Sequence, residues 1–180
     1  MLISGDRPLR RCGHINLRGL RMLRTLVAGI AGGLALNLVM LLTFRAIGFG
    51  WDGDGILLTS SIQSHKLIAV WTTLEPLPLV AVNPAPIIVG LVLFGIGHAF
   101  IYRWISVVWP RGVMRRALRF AGLLFFMTYL FWEFFTPFNQ FGEPLPLVAL
   151  ELSFWAAIAI AEAVVIAAII EHGADRRSAT

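Results

Sequence analysis

The chain has 180 residues, of which 58% are hydrophobic and 14% are charged, whereas soluble domains are roughly 45–50% apolar and 25% charged. This balance excludes an ordinary water-soluble globule, because too few polar side chains remain to cover its surface. The net charge of +5 comes from arginines at the ends of apolar runs, which is typical of membrane topology and not of nucleic-acid binding. The single cysteine, Cys12, excludes an intramolecular disulfide and a thiolate-cluster metal site.

The chain begins with a basic segment, 1–24, that contains six arginines with glycine and proline between them. No helical apolar stripe passes through this segment, so we expect a disordered cytoplasmic tail. Met22 lies directly before the first apolar run. A second interpretation is therefore that translation starts at Met22 and that 1–21 is an upstream extension.

The first apolar run, 25–44, predicts a transmembrane helix, since about 20 apolar residues cross the hydrocarbon core of a bilayer. It is longer than the apolar part of a secretory signal and ends in bulky residues, which favours a retained anchor. Gly29 and Gly33 lie four residues apart with further small residues beside them. Such a face lets a second helix approach closely, so we expect it to be a packing surface.

The outer loop, 45–86, is the longest segment without an apolar run. Its Trp51-Asp52-Gly53-Asp54-Gly55 stretch is turn chemistry and lacks the remaining ligands of a calcium loop. From 60 to 74 the sequence predicts a short amphipathic helix in the membrane interface, with a re-entrant segment as the alternative. Four prolines between 76 and 86 then predict an extended passage.

Three more apolar runs follow, at about 87–108, 120–136 and 145–170. Four arginines separate the second run from the third, whereas the connection between the third and fourth contains only Glu143 as a charge. Because basic connections stay on the cytoplasmic side of a membrane, both termini are predicted to be cytoplasmic. We therefore predict an all-α integral membrane protein of the cell inner membrane, with four transmembrane helices in one bundle over 25–170 and a short tail at 171–180.

The heptad Glu-Pro-Leu-Pro-Leu-Val-Ala occurs twice, at 75–81 and at 143–149, and each copy precedes an apolar run. In the predicted topology both copies lie on the outer side of the membrane. This arrangement indicates a tandem repeat of two spans plus two spans in parallel orientation.

Several ionisable residues fall inside the predicted spans, where they are costly and commonly pair or serve a function. His98 on the second span and Glu162 on the fourth lie at similar depths, and Tyr102 is one helical turn from His98. Asn37 lies near the middle of the first span. These four residues are a candidate intramembrane polar relay for protons, because histidine changes its charge near neutral pH. The favoured interpretation of the same residues is a static hydrogen bond between helices.

A second polar group lies near the predicted outer surface and consists of Arg45, Glu133 and Glu151. The simplest interpretation is an ionic collar that holds helix ends together, with the arginine extended toward the interface. A polar vestibule is the alternative.

No motif for a catalytic site, a cofactor or a metal is present in the sequence. The expected partners are the lipid bilayer and either further copies of the chain or other membrane subunits. We therefore expect a non-catalytic integral membrane protein, as a self-associating bundle or a small subunit of a membrane complex. A small permease or proton-coupled transporter that uses His98 and Glu162 is the second hypothesis. A membrane-embedded enzyme that modifies lipids is the third.

Overall fold

The computed structural model describes residues 17–178, and every regular element in that range is a helix. It confirms an all-helical protein with four helices that are long and apolar enough to cross a membrane. We call them the first to fourth spans: Arg18–Phe49, Ala85–Val108, Val113–Phe141 and Leu145–His172.

The first span is longer than the predicted run, 25–44. Helix α1 comprises Leu17–Met40, and the chain continues without a break as the π-helix Leu41–Phe49. The last eight residues of the expected tail, 17–24, are therefore helical, because leucines and arginines with good helix propensity extend the apolar helix backwards. Cys12 and the rest of the expected tail lie outside the described residues.

The loop between the first and second spans contains three short helices, α2 (Ile56–Thr59), α3 (His65–Thr72) and α4 (Leu79–Val82). The amphipathic helix predicted for 60–74 is thus shorter and begins at His65. Trp71 from α3 packs its ring 4.4 Å from the ring of Phe49, at the end of the first span. This contact holds the loop against the helices.

The second span is α5 (Ala85–Ile105) followed by a 3₁₀ turn, Ser106–Val108. The third span is also longer than predicted and alternates α- and π-helical turns. Its parts are α6 (Val113–Leu124), a π segment (Phe125–Tyr129), α7 (Leu130–Glu133), a second π segment (Phe134–Phe138) and α8 (Asn139–Phe141). Pro137 lies inside the second π segment, where the wider turn accommodates the missing amide donor.

The fourth span belongs to α9, Leu145–Ser178, which has 34 residues and extends through most of the expected C-terminal tail. Helix α1 packs against α5 and α9, and α9 also packs against α6. The contact between α1 and α5 brings backbone against backbone. A methyl group added at Gly33 would lie 2.7 Å from the Cα atom of Val92, so only glycine fits there.

The two copies of the repeated heptad have different structures. Glu75 of the first copy is exposed, and the residues after it form only the single turn α4, which ends before Pro84. Glu143 of the second copy is buried, and the residues after it begin α9. The two copies therefore share a sequence and not an environment, and the tandem repeat stays a prediction.

Candidate functional site

Three polar clusters lie at three levels along α9, and each contains one of its carboxylates. We name them by their position along this helix. They are the N-terminal cluster (Gln63, Glu133, Glu143, Glu151), the central pair (His98, Glu162) and the C-terminal cluster (Tyr102, Arg116, Glu171). Glu151 and Glu162 lie on the same side of α9, because eleven residues make close to three helical turns.

The central pair joins the second and fourth spans. Nδ1 of His98 lies 2.8 Å from Oε1 of Glu162, and the two residues are 5% and 0% exposed. The other oxygen, Oε2 of Glu162, is buried and has no hydrogen-bond partner among the described residues. The ring of Phe94 packs 4.1 Å from the imidazole. The pair is therefore a buried acid and base that share one contact inside an apolar environment.

The predicted chain from His98 through Tyr102 to Glu162 does not form. The hydroxyl of Tyr102 instead donates a hydrogen bond to Glu171, which lies further along α9. Arg116 reaches the same carboxylate, with Nη1 3.3 Å from Oε1 of Glu171. The length of the tyrosine side chain carries its hydroxyl away from His98 toward the C-terminal part of α9.

Asn37 also lies apart from the central pair. Its amide donates to the carbonyl oxygens of Gly33, at 2.8 Å, and of Ile88, at 3.4 Å. The first bond is within α1 and the second reaches α5. Asn37 is thus a link between two helices, and the structure does not place it in a relay.

The N-terminal cluster brings together three carboxylates from three segments of the chain. Glu133 ends α7, Glu143 lies in the connection before α9, and Glu151 lies on α9. Carboxylate oxygens from the three side chains all lie within 4.8 Å of one another. The residues are only 0%, 1% and 5% exposed, so water screens their mutual repulsion weakly.

Two hydrogen bonds orient these carboxylates. Nε1 of Trp155 donates to Oε2 of Glu133 at 2.8 Å, and Nε2 of Gln63 donates to Oε1 of Glu143 at 2.7 Å. The same nitrogen of Gln63 also donates to the carbonyl of Leu57, which fixes the loop over the cluster. Burial raises the pKa of Glu143, the bond from Gln63 opposes this shift, and the charge of Glu133 adds to it.

Arg45 does not belong to this cluster, which corrects the predicted ionic collar. Its guanidinium donates to the backbone carbonyls of Gly50 and Trp51, the latter at 2.6 Å. The chain folds back after the first span and places these carbonyls next to the arginine. Among the described residues, side-chain ion pairs join His98 to Glu162 and Arg116 to Glu171, and none involves Arg45.

Sequence reasoning missed four members of these clusters: Gln63, Glu143, Arg116 and Glu171. Gln63 and Glu143 are 80 residues apart, and no periodicity connects a loop residue to a connector residue. The position of Glu143 directly before an apolar helix was the one available signal, because acidic residues near a helix N-terminus are stabilised by its dipole.

An open groove of about 330 Å³ lies beside the clusters. Its walls are apolar and include Leu36, Leu91, Phe94, Tyr129 and Trp155. Such a groove suits a hydrocarbon chain and offers few polar atoms to a hydrophilic solute.

Comparison with known proteins places no further constraint on the site. No family model, no curated protein and no solved structure matches the chain.

Proposed function

We propose that the protein is a small integral membrane proton permease in which His98 and Glu162 exchange the transported proton. The observation that carries this proposal is the buried pair itself, with Nδ1 and Oε1 2.8 Å apart at the middle level of α9. Ionisable groups in a bilayer are costly and commonly mark proton relays. A histidine and a carboxylate in contact can pass one proton between them without leaving a net buried charge.

The other two clusters supply the entry and exit of this path. Glu151 precedes Glu162 by 11 residues and Glu171 follows it by 9, which correspond to about 16 Å and 14 Å along a helix at 1.5 Å per residue. A proton therefore needs water between the clusters.

Aromatic rings occupy both intervals. Tyr129 stacks on Trp155 with ring centroids 4.6 Å apart, between the N-terminal cluster and the central pair. Phe120 lies against both His98 and Tyr102, with centroid separations of 6.1 Å and 5.3 Å. We propose that these rings restrict hydration, so that proton transfer is slow and selective.

The topology belongs to the same proposal. The four spans form a bundle in the cell inner membrane, and the arginines between the second and third spans place that connection in the cytoplasm. Both termini are then cytoplasmic, and the N-terminal cluster lies toward the outside. In this proposal helix α3 lies in the outer interface, and its buried Leu67 and exposed Lys66 are compatible with that position.

The hypothesis of a self-associating bundle or a small subunit of a complex stays untested. One of its supports was the small-residue face of the first span, and Gly29 and Gly33 on that face pack against α5 of the same chain. The described structure therefore uses this face internally, and we do not propose it as a contact between copies.

Proton flux in liposomes tests the proposal. A potassium gradient with valinomycin drives protons, and a trapped pH-sensitive dye reports their movement. We expect flux above that of empty liposomes, a fall to the empty-liposome rate with Glu162→Gln, and no change with Glu75→Gln, which alters an exposed glutamate. Equal rates for the unmodified protein, Glu162→Gln and empty liposomes would contradict the proposal.

A further inference from the structure

The N-terminal cluster contains three acidic side chains without a basic partner. Its three carboxylates converge within 4.8 Å, and among the described residues no lysine, arginine or histidine forms an ion pair with any of them. Buried charges are stable when they are paired, protonated or bound to a metal. The cluster therefore requires either bound protons or a bound cation.

Two buried oxygen atoms in the cluster have no partner. Oε1 of Glu133 and Oε2 of Glu143 make no hydrogen bond among the described residues, although each residue is at most 1% exposed. The second oxygen of each carboxylate is held by Trp155 or by Gln63. One oxygen of Glu133 and one of Glu143 is thus held by an N–H donor, and the other oxygen of each receives no such donor from the described residues, although the carboxyl group of Glu133 also hydrogen-bonds to that of Glu151.

We propose that Glu133, Glu143 and Glu151 bind one divalent cation, and that this cation is calcium. The ligand atoms are all carboxylate oxygens, which suit hard cations and not zinc or copper. Two oxygens that bind Ca²⁺ at about 2.3–2.6 Å lie up to about 5 Å apart across the ion. The oxygens of the three side chains lie within 4.8 Å of one another, so all three carboxylates can approach one such ion from different sides.

Magnesium fits the cluster less well. It binds oxygen at about 2.0–2.1 Å with nearly ideal octahedral geometry, so opposite ligands lie about 4 Å apart. Gln63 and Trp155 are positioning residues in this proposal, because they orient Glu143 and Glu133 through hydrogen bonds.

Cation binding is tested separately from proton permeation, because it is measured in detergent without a membrane potential. Titration of the full-length, chelator-treated protein with Ca²⁺ in a calorimeter should show one site per chain. Glu133→Gln and Glu143→Gln should each raise the Kd at least tenfold. Glu75→Gln is the matched control, since it changes the same residue in the other copy of the heptad and should leave the Kd unchanged.

A spectroscopic experiment locates the ion. Terbium replaces calcium in oxygen sites and emits light when a nearby tryptophan is excited. Its luminescence should disappear when Ca²⁺ is added and should fall sharply in Trp155→Phe, because Trp155 contacts a ligand of the site.

The outcomes separate clearly. Circular dichroism identifies variants that fail to fold. If Glu133→Gln or Glu143→Gln does not fold, Glu151→Gln takes its place. Absence of Ca²⁺ binding by the unmodified protein overturns the proposal, as does equal binding by all three cluster variants and the Glu75→Gln control. Tighter binding of Mg²⁺ than of Ca²⁺ overturns the assignment to calcium.

Discussion

The two ends of α9 differ in the partners of their carboxylates. At the center and toward the C-terminus each carboxylate has a basic partner from another helix, with His98 beside Glu162 and Arg116 beside Glu171. At the N-terminus three carboxylates meet without such a partner in the described structure. One part of the helix thus pairs its carboxylates with basic side chains of the same chain, whereas the other has acidic side chains without a basic partner among the described residues.

The largest expected effect comes from removal of one member of the central pair. His98→Leu leaves Glu162 buried without a base, and breaking a buried pair in this way costs about 3–5 kcal/mol. The double variant His98→Leu/Glu162→Leu should recover most of this loss, because no charge remains buried. Unfolding in mixed micelles measures the free energy of each variant. A double variant no more stable than His98→Leu would show that packing, and not charge, dominates at this site.

A smaller effect is expected from pH at the N-terminal cluster. The pKa of Glu143 is raised by burial, so the folded protein holds this proton more tightly than the unfolded chain does. Its contribution to stability is complete below the unfolded pKa and is lost as the pH rises through the folded pKa. In chelator, stability should therefore fall with rising pH, by at most about 1.4 kcal/mol per pH unit for one group.

Matched variants attribute this pH dependence to its source. Glu143→Gln removes the titrating group and should flatten the stability profile, whereas Glu75→Gln should leave the profile unchanged. Thermal unfolding at several pH values provides the measurement. A profile that is equally steep in both variants would assign the effect to other groups.

The smallest effect is expected in the C-terminal cluster. Arg116 and Glu171 are 18% and 13% exposed and lie 3.3 Å apart, and partly exposed pairs of this kind contribute about 1 kcal/mol or less. Arg116→Gln should lower stability by less than His98→Leu does, and added salt should reduce the difference. If Arg116→Gln lowers the free energy of unfolding as much as His98→Leu does, the buried pair and the partly exposed pair do not differ in their contribution to stability.

The sequence predicted the features that depend on composition and local periodicity. Four apolar helices follow from hydropathy, and the depths of His98 and Glu162 follow from counting residues along their spans. The sequence could not predict that Tyr102 bonds to Glu171, because this depends on how far α9 extends beyond the membrane core. Nor could it predict that Glu143 is buried while Glu75 is exposed. The two heptads have the same sequence, so the difference in burial comes from the other segments that pack against each copy.

The sequence separation between contacting residues determines the order in which their contacts can form during synthesis. The glycine contact between α1 and α5 is available once residue 95 has been made. The carboxylate cluster requires Glu151, and the loop that covers it contributes Gln63 from 80 residues before Glu143. A chain interrupted after the second span can therefore form the glycine contact between α1 and α5 but not the carboxylate cluster. The carboxylate cluster forms only after the third span and the start of the fourth have been made.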